Sequence, residues 1–583
     1  MPTAHAPPEP RPLGDAAIEI VAPPDTDPEA LRHALAAAAL PGVRDAIAGT
    51  RRVVLHLDPV AAWHVDPGAP SPAAALAPAV AAAARDARAH HVAPPEPVVL
   101  PACYDGDCAP DLADVAARTG LAPDEVIARH LAARYVVGLV GFLPGFAYLH
   151  GLDPALALPR RGTPRARVPA GSVGVAERMT GVYPGESPGG WHLIARVPLP
   201  MFDAHAAPPA RLARGATVRF TRIDREAHDA LARAHPRRDA PASHDAPAAL
   251  LVEKPGLLTT VQDAGRWGVH AAGVGQAGWF DDVAPRVANA LVGNREDAAV
   301  LECTLAGPTL VVARDALVAL AGADMSPTLD GVPVAMHRPL PVRAGQRLAL
   351  GGAVTGCRTY LAIDGGIDVP PTLGSASTQL RGAFGGHAGR ALRPGDALAT
   401  GAPAPVAAWL LERGAARGGA LDAVAPPREF ATAPIAGARL GLLVDAHAAD
   451  AIATAAAAAL PGTWTVAHTS DRMGLRLTGP RLHVPPSVAR VASEPTVLGT
   501  VQLPPDGEPI VLGVDRQVTG GYLVAGAVAS VSRAALAQLR PGAHCQFVVV
   551  PLERAARALL ARERRLAEAC AAIAHALHRA AHR

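Results

Sequence analysis

Lysine is almost missing from this chain of 583 residues: among 54 basic residues Lys254 is the one lysine. A phosphate-binding P-loop needs Gly-Lys-Ser/Thr, and Lys254 lies in VEKPG, so that loop is excluded. No lysine sits between methionines, as a biotin carrier requires, and a Schiff-base cofactor would have this single residue to use. ATP or biotin chemistry must therefore use other folds or partner proteins. Cysteine is also scarce, and six in so long a chain do not make a disulfide framework. A net charge of +2 offers no basic surface for nucleic acid or an anionic membrane. No apolar run approaches the roughly 18 residues of a membrane helix. The opening residues MPTAHAPPEPRPLG carry no signal-peptide core. The expectation is a reduced, cytoplasmic enzyme with neither nucleic acid nor membrane as partner.

What is present is ordinary for a globular protein, with 50% hydrophobic and 18% charged residues. The length predicts about three to five domains, and the abundance of Ala, Arg and Pro suggests a high-GC bacterial coding bias. Residues 11–60 read as strand, helix, strand (RPLGDAAIEIV, DPEALRHALAAAAL, RRVVLHLDP), followed by Ala-rich helix around 73–90. Short connections favour an antiparallel sheet there. Pro123–Ala133 reads as a helix, and Asp111 is placed to cap the helix ahead of it, with Asp114 in its first turn. Gly141–Arg196 is dense in Gly and Pro with apolar residues between them, the texture of short strands and tight turns whose loops converge. A charged helix from Arg225 then runs into a Pro/Ala/His/Asp segment that suits a linker. Two β-rich halves follow, from Leu250 and from about Pro434, each with a Gly-Gly turn in an apolar run, at Gly365–Gly366 and Gly520–Gly521. Closed or nearly closed barrels would satisfy so many strand edges. The tail from Leu552 reads as one Ala/Arg-rich helix for packing or oligomer formation.

Several short motifs lose their usual meaning in context. Gly185–Gly189 (GESPG) matches a nucleophile elbow around Ser187, but that elbow needs the backbone N–H of the next residue, and Pro188 has none. Gly273–Gly278 (GVGQAG) matches a dinucleotide fingerprint without a preceding strand or an acidic residue at the end of a second strand about 20 positions on, and reads as a turn-rich loop. Cys103 and Cys108 lack the partners of a zinc site and read as free thiols, so no metal ligands are assigned. The polar residues that remain fall in Gly-rich loops. His130, Glu186, Asp263 and Asp515 are candidates for moving a proton. Arg165, Arg167, Ser172, His192, Gln262, Arg266, Asn294, Ser375, Ser377, Thr378, Arg472, Arg516 and Gln517 are candidates for holding substrate or phosphate.

The motifs GFLPGFAYL, PRARVPAGSVG, TGVYPGESPGGW and LIARVP closely resemble the signature of the B subunit of 5-oxoprolinase, a family that includes a sporulation-kinase inhibitor and allophanate-hydrolase subunit 1. PGLLTTVQDAGRWG, YLAIDGGIDVPPTLGSAST, SDRMGLRL and PPDGEPIVLGVDRQVTGGY resemble the C subunit of 5-oxoprolinase, the carboxyltransferase-like family. The chain thus resembles a B–C fusion. The resemblance implies a mainly β protein with an α/β N-terminal unit and cyclophilin-like β-barrels, one in the first half and a tandem pair in the second. The corresponding division is a small α/β domain (1–95), a B-type barrel (96–224), a linker (225–248), two C-type barrels (249–433 and 434–551) and a helix (552–583). It departs from the family pattern at Met179 (usually Gln), at Ala277–Asp281, at Ala376 (usually Arg) and at Asp471 (usually Asn), which bears on substrate choice more than on fold.

The function implied is the ATP-dependent opening of 5-oxoproline to glutamate, with ATP, Mg²⁺ and the separate A subunit of 5-oxoprolinase, and with homo-oligomer formation open. A lactam carbonyl is a poor electrophile, and phosphorylating its oxygen activates it for attack by water, a task for arginine and metal-ion charge plus a base. Two alternatives stand beside it. One is the carboxyltransferase component of a biotin-dependent urea or amide carboxylase. The other is a regulatory protein that inhibits a histidine kinase, which leaves the second half without a role.

Overall fold

The computed structural model describes residues 9–582 apart from 87–95, 237–246, 413–420, 422, 432–436, 445–457, 459 and 486–491. The boundaries expected at 95 and 433 and the Pro/Ala/His/Asp segment lie outside those residues. Near the N terminus, four antiparallel strands form a sheet in the order Pro10–Pro12, Ala17–Val21, Arg52–Leu57, Val43–Ala48. Helices Pro28–Ala37 and Pro72–Asp86 cover it, closing a core of Ile18, Ile20, Leu31, Leu55 and Leu76. Val43–Ala48 (VRDAIA) is a strand that the sequence pattern does not announce. Its Arg44 and Asp45 break the apolar run, because Asp45 points out to bond a loop of a later unit.

Seven strands then close a barrel: Val98–Cys103, Tyr135–Val140, Ala147–His150, Ser172–Ala176, Met179–Val182, His192–Arg196 and Thr217–Ile223. Buried Leu100, Tyr135, Leu149, Val173, Val175, Ile194 and Val218 fill it, consistent with strands that point alternate residues inward. A second seven-strand barrel closes from Ala438–Leu443, Thr463–Val466, Gly474–Thr478, Thr500–Leu503, Ile510–Leu512, Leu523–Val528 and His544–Val549. With the strands of each barrel counted in chain order, the ring order is 1-6-4-5-3-2-7 in both. In both, the first and last strands form a parallel pair while the other neighbours run antiparallel. Each also carries a two-stranded flap inserted at the same places, Arg165–Val168 with Ser187–Gly189 and Glu494–Pro495 with Thr519–Gly520. The two barrels have one topology.

Between them lies a middle unit of two sheets, of seven and five strands, around Leu250, Leu301, Leu320, Leu348 and Ile363. Its strands do not join into one ring among the described residues, so the first member of the expected tandem pair is two sheets packed on one core and not a closed barrel. Helix Ala284–Leu291 lies on it, and the C-terminal helix Leu552–His582 docks there in turn. Leu566, Ala569, Cys570, Ile573 and Leu577 recur at helical spacing on the docked face, while Arg286 donates to Glu563 at 2.6 Å and Arg562 to Asp282 at 2.6 Å. The tail is a packing element of the middle unit. No helix among the described residues is long and apolar enough to cross a membrane.

Candidate active site

The two barrels meet side to side, through outward residues of matching strands: Tyr148 and His150 flank the inward Leu149, and Arg476 lies between the inward Leu475 and Leu477. A Cβ added at Gly141 in the first would collide with Thr519 Oγ1 in the second, so a larger residue there requires the Thr519 side chain to move. The N–H of Gly145 donates to the carbonyl of Ala272 at 2.9 Å, which brings a loop of the middle unit against the same Gly141–Phe146 loop. Between these contacts lies a cleft of about 720 Å³. The first barrel lines it with Phe142, Tyr148, His150, Arg160, Glu177 and Met179, and the second with Asp471, Met473, Arg476, Gln502 and Gln517. Arg381 enters from the middle unit and Thr50 from the N-terminal unit. The lining strands Ala147–His150 and Gly474–Thr478 occupy the same place in their two rings.

Charge in the cleft is mixed. The Arg381 guanidinium lies over the Phe142 ring at 5.7 Å, its pKa lowered by burial against the opposing pull of the Asp471 and Asp515 carboxylates. Asp471 accepts from the N–H of Met473 at 2.8 Å and of Gly474 at 3.2 Å, which fixes the carboxylate that replaces the family's usual amide. Arg160 pairs with Glu177 at 3.4 Å. Two of the departures noted in the sequence, Met179 and Asp471, therefore line the cleft, and Ala376 does not.

Most of the sequence-predicted site residues lie elsewhere, each for a physical reason. His130 is fully buried inside the first barrel, with Nδ1 2.8 Å from the Tyr104 hydroxyl and Nε2 3.2 Å from Thr180 Oγ1. Burial holds it down at about 3, so it is a neutral packing group. Arg165 donates twice to Asp111, at 2.8 and 2.6 Å, and Arg161 adds a third bond at 3.0 Å. Asp111 consequently does not cap its helix with its side chain, and also accepts from the N–H of Leu193 at 2.7 Å. Arg167 and Glu186 form an exposed ion pair on the flap, His192 is buried with Nε2 3.0 Å from the Pro159 carbonyl, and Ser172 is buried in its strand. Ser187 lies in the flap strand with no helix following, in keeping with the rejected nucleophile reading.

In the second half the predicted residues do gather, but into two buried knots. Asp263 accepts from Ser375 Oγ at 2.6 Å, Ser377 Oγ at 2.5 Å and the N–H of Ala376 at 2.7 Å, clamping two loops together. Gln262 donates to Thr260 and Thr378, and Arg266 to the Ser377 carbonyl. Arg266 is buried over the Phe384 ring and pulled down to about 10 by burial, with Nε and Nη1 lacking protein partners. In the other knot Arg472 donates to Glu302, to Asp515 at 2.9 and 3.1 Å, and to the Gly278 carbonyl at 2.7 Å. Arg516, next in sequence, is buried and also held at about 10 by burial. Asn294 locks a turn by donating to the Ile363 carbonyl at 2.8 Å and accepting from Gly365 at 2.9 Å. Of the predicted residues Gln517 alone lines the cleft. Sequence reasoning misses His150, Arg160, Arg381 and Arg476, which come from distant stretches and meet only through the barrel contact.

Residues 9–212 match the family model for the carboxyltransferase domain, subdomain C and D, and residues 272–549 match that for subdomain A and B. The C subunit of 5-oxoprolinase from Escherichia coli K12 is 36% identical over 309 residues, spanning 53% of this chain and 94% of that one. The chain belongs to the carboxyltransferase-domain family. Its first part is similar to the B subunit of 5-oxoprolinase from Bacillus subtilis, 46% identical over 133 residues, which span 23% of this chain and 55% of that protein. A urea amidolyase of Lachancea kluyveri is 32% identical over 322 residues, covering 52% of this chain and 17% of that much longer one. The crystal structure of TTHA0988 is 34% identical, with a TM-score of 0.74 over 91% of this chain and 99% of that one. This carboxyltransferase-family chain thus joins in one polypeptide the parts that resemble the B and C subunits, and its homologues are components of multi-subunit enzyme systems. The cleft falls at their junction.

Proposed function

We propose that the chain supplies the B and C components of an ATP-dependent 5-oxoprolinase in the cytoplasm, opening 5-oxoproline to L-glutamate together with a separate A subunit. The observation that carries this reading is the composite cleft: neither the part similar to the B subunit nor the part similar to the C subunit forms it alone. Three guanidinium groups, those of Arg160, Arg381 and Arg476, line it and suit phosphate oxygens. ATP supplies the driving force for activating the lactam carbonyl. Glu177 and Asp471 are the carboxylates of the lining that would hold a Mg²⁺ ion taking most of its ligands from phosphate and water, since among the described residues no cluster of three or more His, Cys, Asp or Glu could cage a metal. The chain's own groups bind and orient the anionic substrates, Tyr148 and Met179 exclude water, and the exposed His150 imidazole can accept or return a proton. Mixing the chain with ATP, Mg²⁺, 5-oxoproline and a cognate A subunit should release glutamate and ADP; no turnover with an active A subunit overturns the reading.

The similarity to a urea amidolyase favours one second reading, a carboxyltransferase component served by a biotin carrier on another chain. Carboxyl transfer from a carboxylated biotin carrier to urea, catalysed by this chain without ATP, would establish it, and failure of that transfer would remove it.

A further inference from the structure

The protein is poor in aromatic residues, with 6 Trp, 6 Tyr and 8 Phe, yet five of these rings surround one slot beside the cleft. Phe146 is buried at its base, meeting Phe142, Tyr148, Tyr183 and Trp191 edge to face at centroid distances of 5.4, 4.8, 5.2 and 5.8 Å. The slot encloses about 190 Å³ and its lining is almost wholly apolar. It opens into the cleft through Phe142, Tyr148 and Arg160, which line both cavities. Phe142 holds a left-handed backbone, φ 68°, a conformation that a bulky side chain rarely adopts and that is retained where the surroundings impose it. Its ring stands at the junction with the Arg381 guanidinium over it.

This geometry divides sharply by polarity. A ring-lined apolar slot takes a planar ring by stacking and edge contacts, and the guanidinium groups of Arg160 at its edge and of Arg381 and Arg476 in the cleft take an anionic chain attached to that ring. A small cyclic acid would leave most of the 720 Å³ cleft empty, whereas a nucleoside phosphate has the matching division of a heteroaromatic base and a chain of anionic groups. We infer that the aromatic slot of the first barrel is a nucleobase pocket, and that a nucleoside phosphate lies with its base among Phe142, Phe146, Tyr148 and Trp191 and its phosphates toward Arg160, Arg381 and Arg476. The inference rests on the cleft being an ATP-dependent site, and assigns the base-binding part to the first barrel.

The test is equilibrium binding to the full chain on its own, by calorimetry, with ADP, adenosine and inorganic pyrophosphate as probes. Gly190 lines the slot beside Pro164; a Cβ there meets nothing closer than 3.7 Å, so Gly190→Leu plugs the slot at little structural cost. Pro188→Trp does so independently from an exposed position. Each plug should weaken ADP at least tenfold and abolish adenosine binding while pyrophosphate binds as before; Arg476→Ala, which lines the cleft and not the slot, should weaken ADP and pyrophosphate about tenfold and leave adenosine unchanged. Absence of ADP binding at millimolar concentration, pyrophosphate binding as tightly as ADP, or unchanged ADP affinity in both plugged chains would overturn the pocket. Turnover of 5-oxoproline in the presence of the A subunit, measured in parallel, separates the two ideas. Turnover without ADP binding to this chain removes the pocket and leaves the enzyme reading. Slot-dependent ADP binding without turnover keeps the pocket and removes that reading.

Discussion

The first and second barrels thread seven strands in the same ring order and carry the same two-stranded flap, yet the loops that follow their second strands carry opposite chemistry. In the first, the loop after the second strand is GFLPGF, and its rings build an apolar slot. In the second, the corresponding loop is TSDRMG, whose Arg472 turns inward to Glu302 and Asp515 while Asp471 faces the cleft. A common scaffold holds the two loops opposite each other, and the loop residues decide what each side offers. Fold and function are separable here at the level of a few side chains.

The largest expected effect breaks the comparison on the second side. Arg472→Met leaves the Asp515 carboxylate buried without its ion-pair partner and Glu302 with Arg358 alone, at 3.5 Å, which should destabilise the chain by about 3–5 kcal/mol, read as a lowered denaturation midpoint. The flaps differ as well. Burial against the N-terminal unit pushes the Glu494 carboxyl from its ordinary 4.5 up to about 7. The folded protein binds that proton more tightly, so its contribution is complete below about pH 4.5 and is lost as pH rises through 7. At pH 8 the loss reaches at most about 3 kcal/mol. Glu494→Gln should flatten the pH dependence of thermal unfolding between pH 5 and 8, and an unaltered slope contradicts this.

Arg381 belongs to neither barrel and faces both. Arg381→Ala should lower kcat/KM in the reconstituted reaction by about tenfold to hundredfold, the range of one charge-assisted contact, without a shift in the denaturation midpoint. Asp471→Asn removes the carboxylate that faces Arg381 and should tighten binding of metal-free pyrophosphate by a few fold, measured by calorimetry without Mg²⁺. Smallest of all, Arg167→Ala deletes an exposed ion pair on the first flap and should change neither stability nor turnover measurably. A clear loss of turnover in that variant would bring the flap back into the site.

The family, the barrels and the terminal helix were legible because long motifs and strand-length apolar runs are local signals. The cleft was not. Its polar lining comes from one arginine in a Gly-rich loop, Arg381, and from strand residues such as Arg476 whose outward direction depends on register, which nothing local specifies. The Gly141–Arg196 stretch does form loops around a cavity, but Arg165 and His192 stand out for a chemistry that is used internally. Arg165 is held by an aspartate 54 residues away, and His192 sits against the Pro159 carbonyl. The residues that do shape that cavity are the apolar rings of the same stretch. His130 misleads for the opposite reason: a histidine beside a Gly-rich loop looks chemical, yet its helix turns it into the barrel core.

The contact between Gly141 and Thr519 has a consequence for how such a chain can change over generations. An added methyl would be driven into the threonine hydroxyl, so a substitution on either side is judged by its partner across the junction, not by its own barrel. The two halves are therefore best inherited as a matched pair, and a chimaera that takes one half from a relative keeps this contact when the pair of residues across the junction remains compatible. Joining the halves in a single gene secures that shared descent.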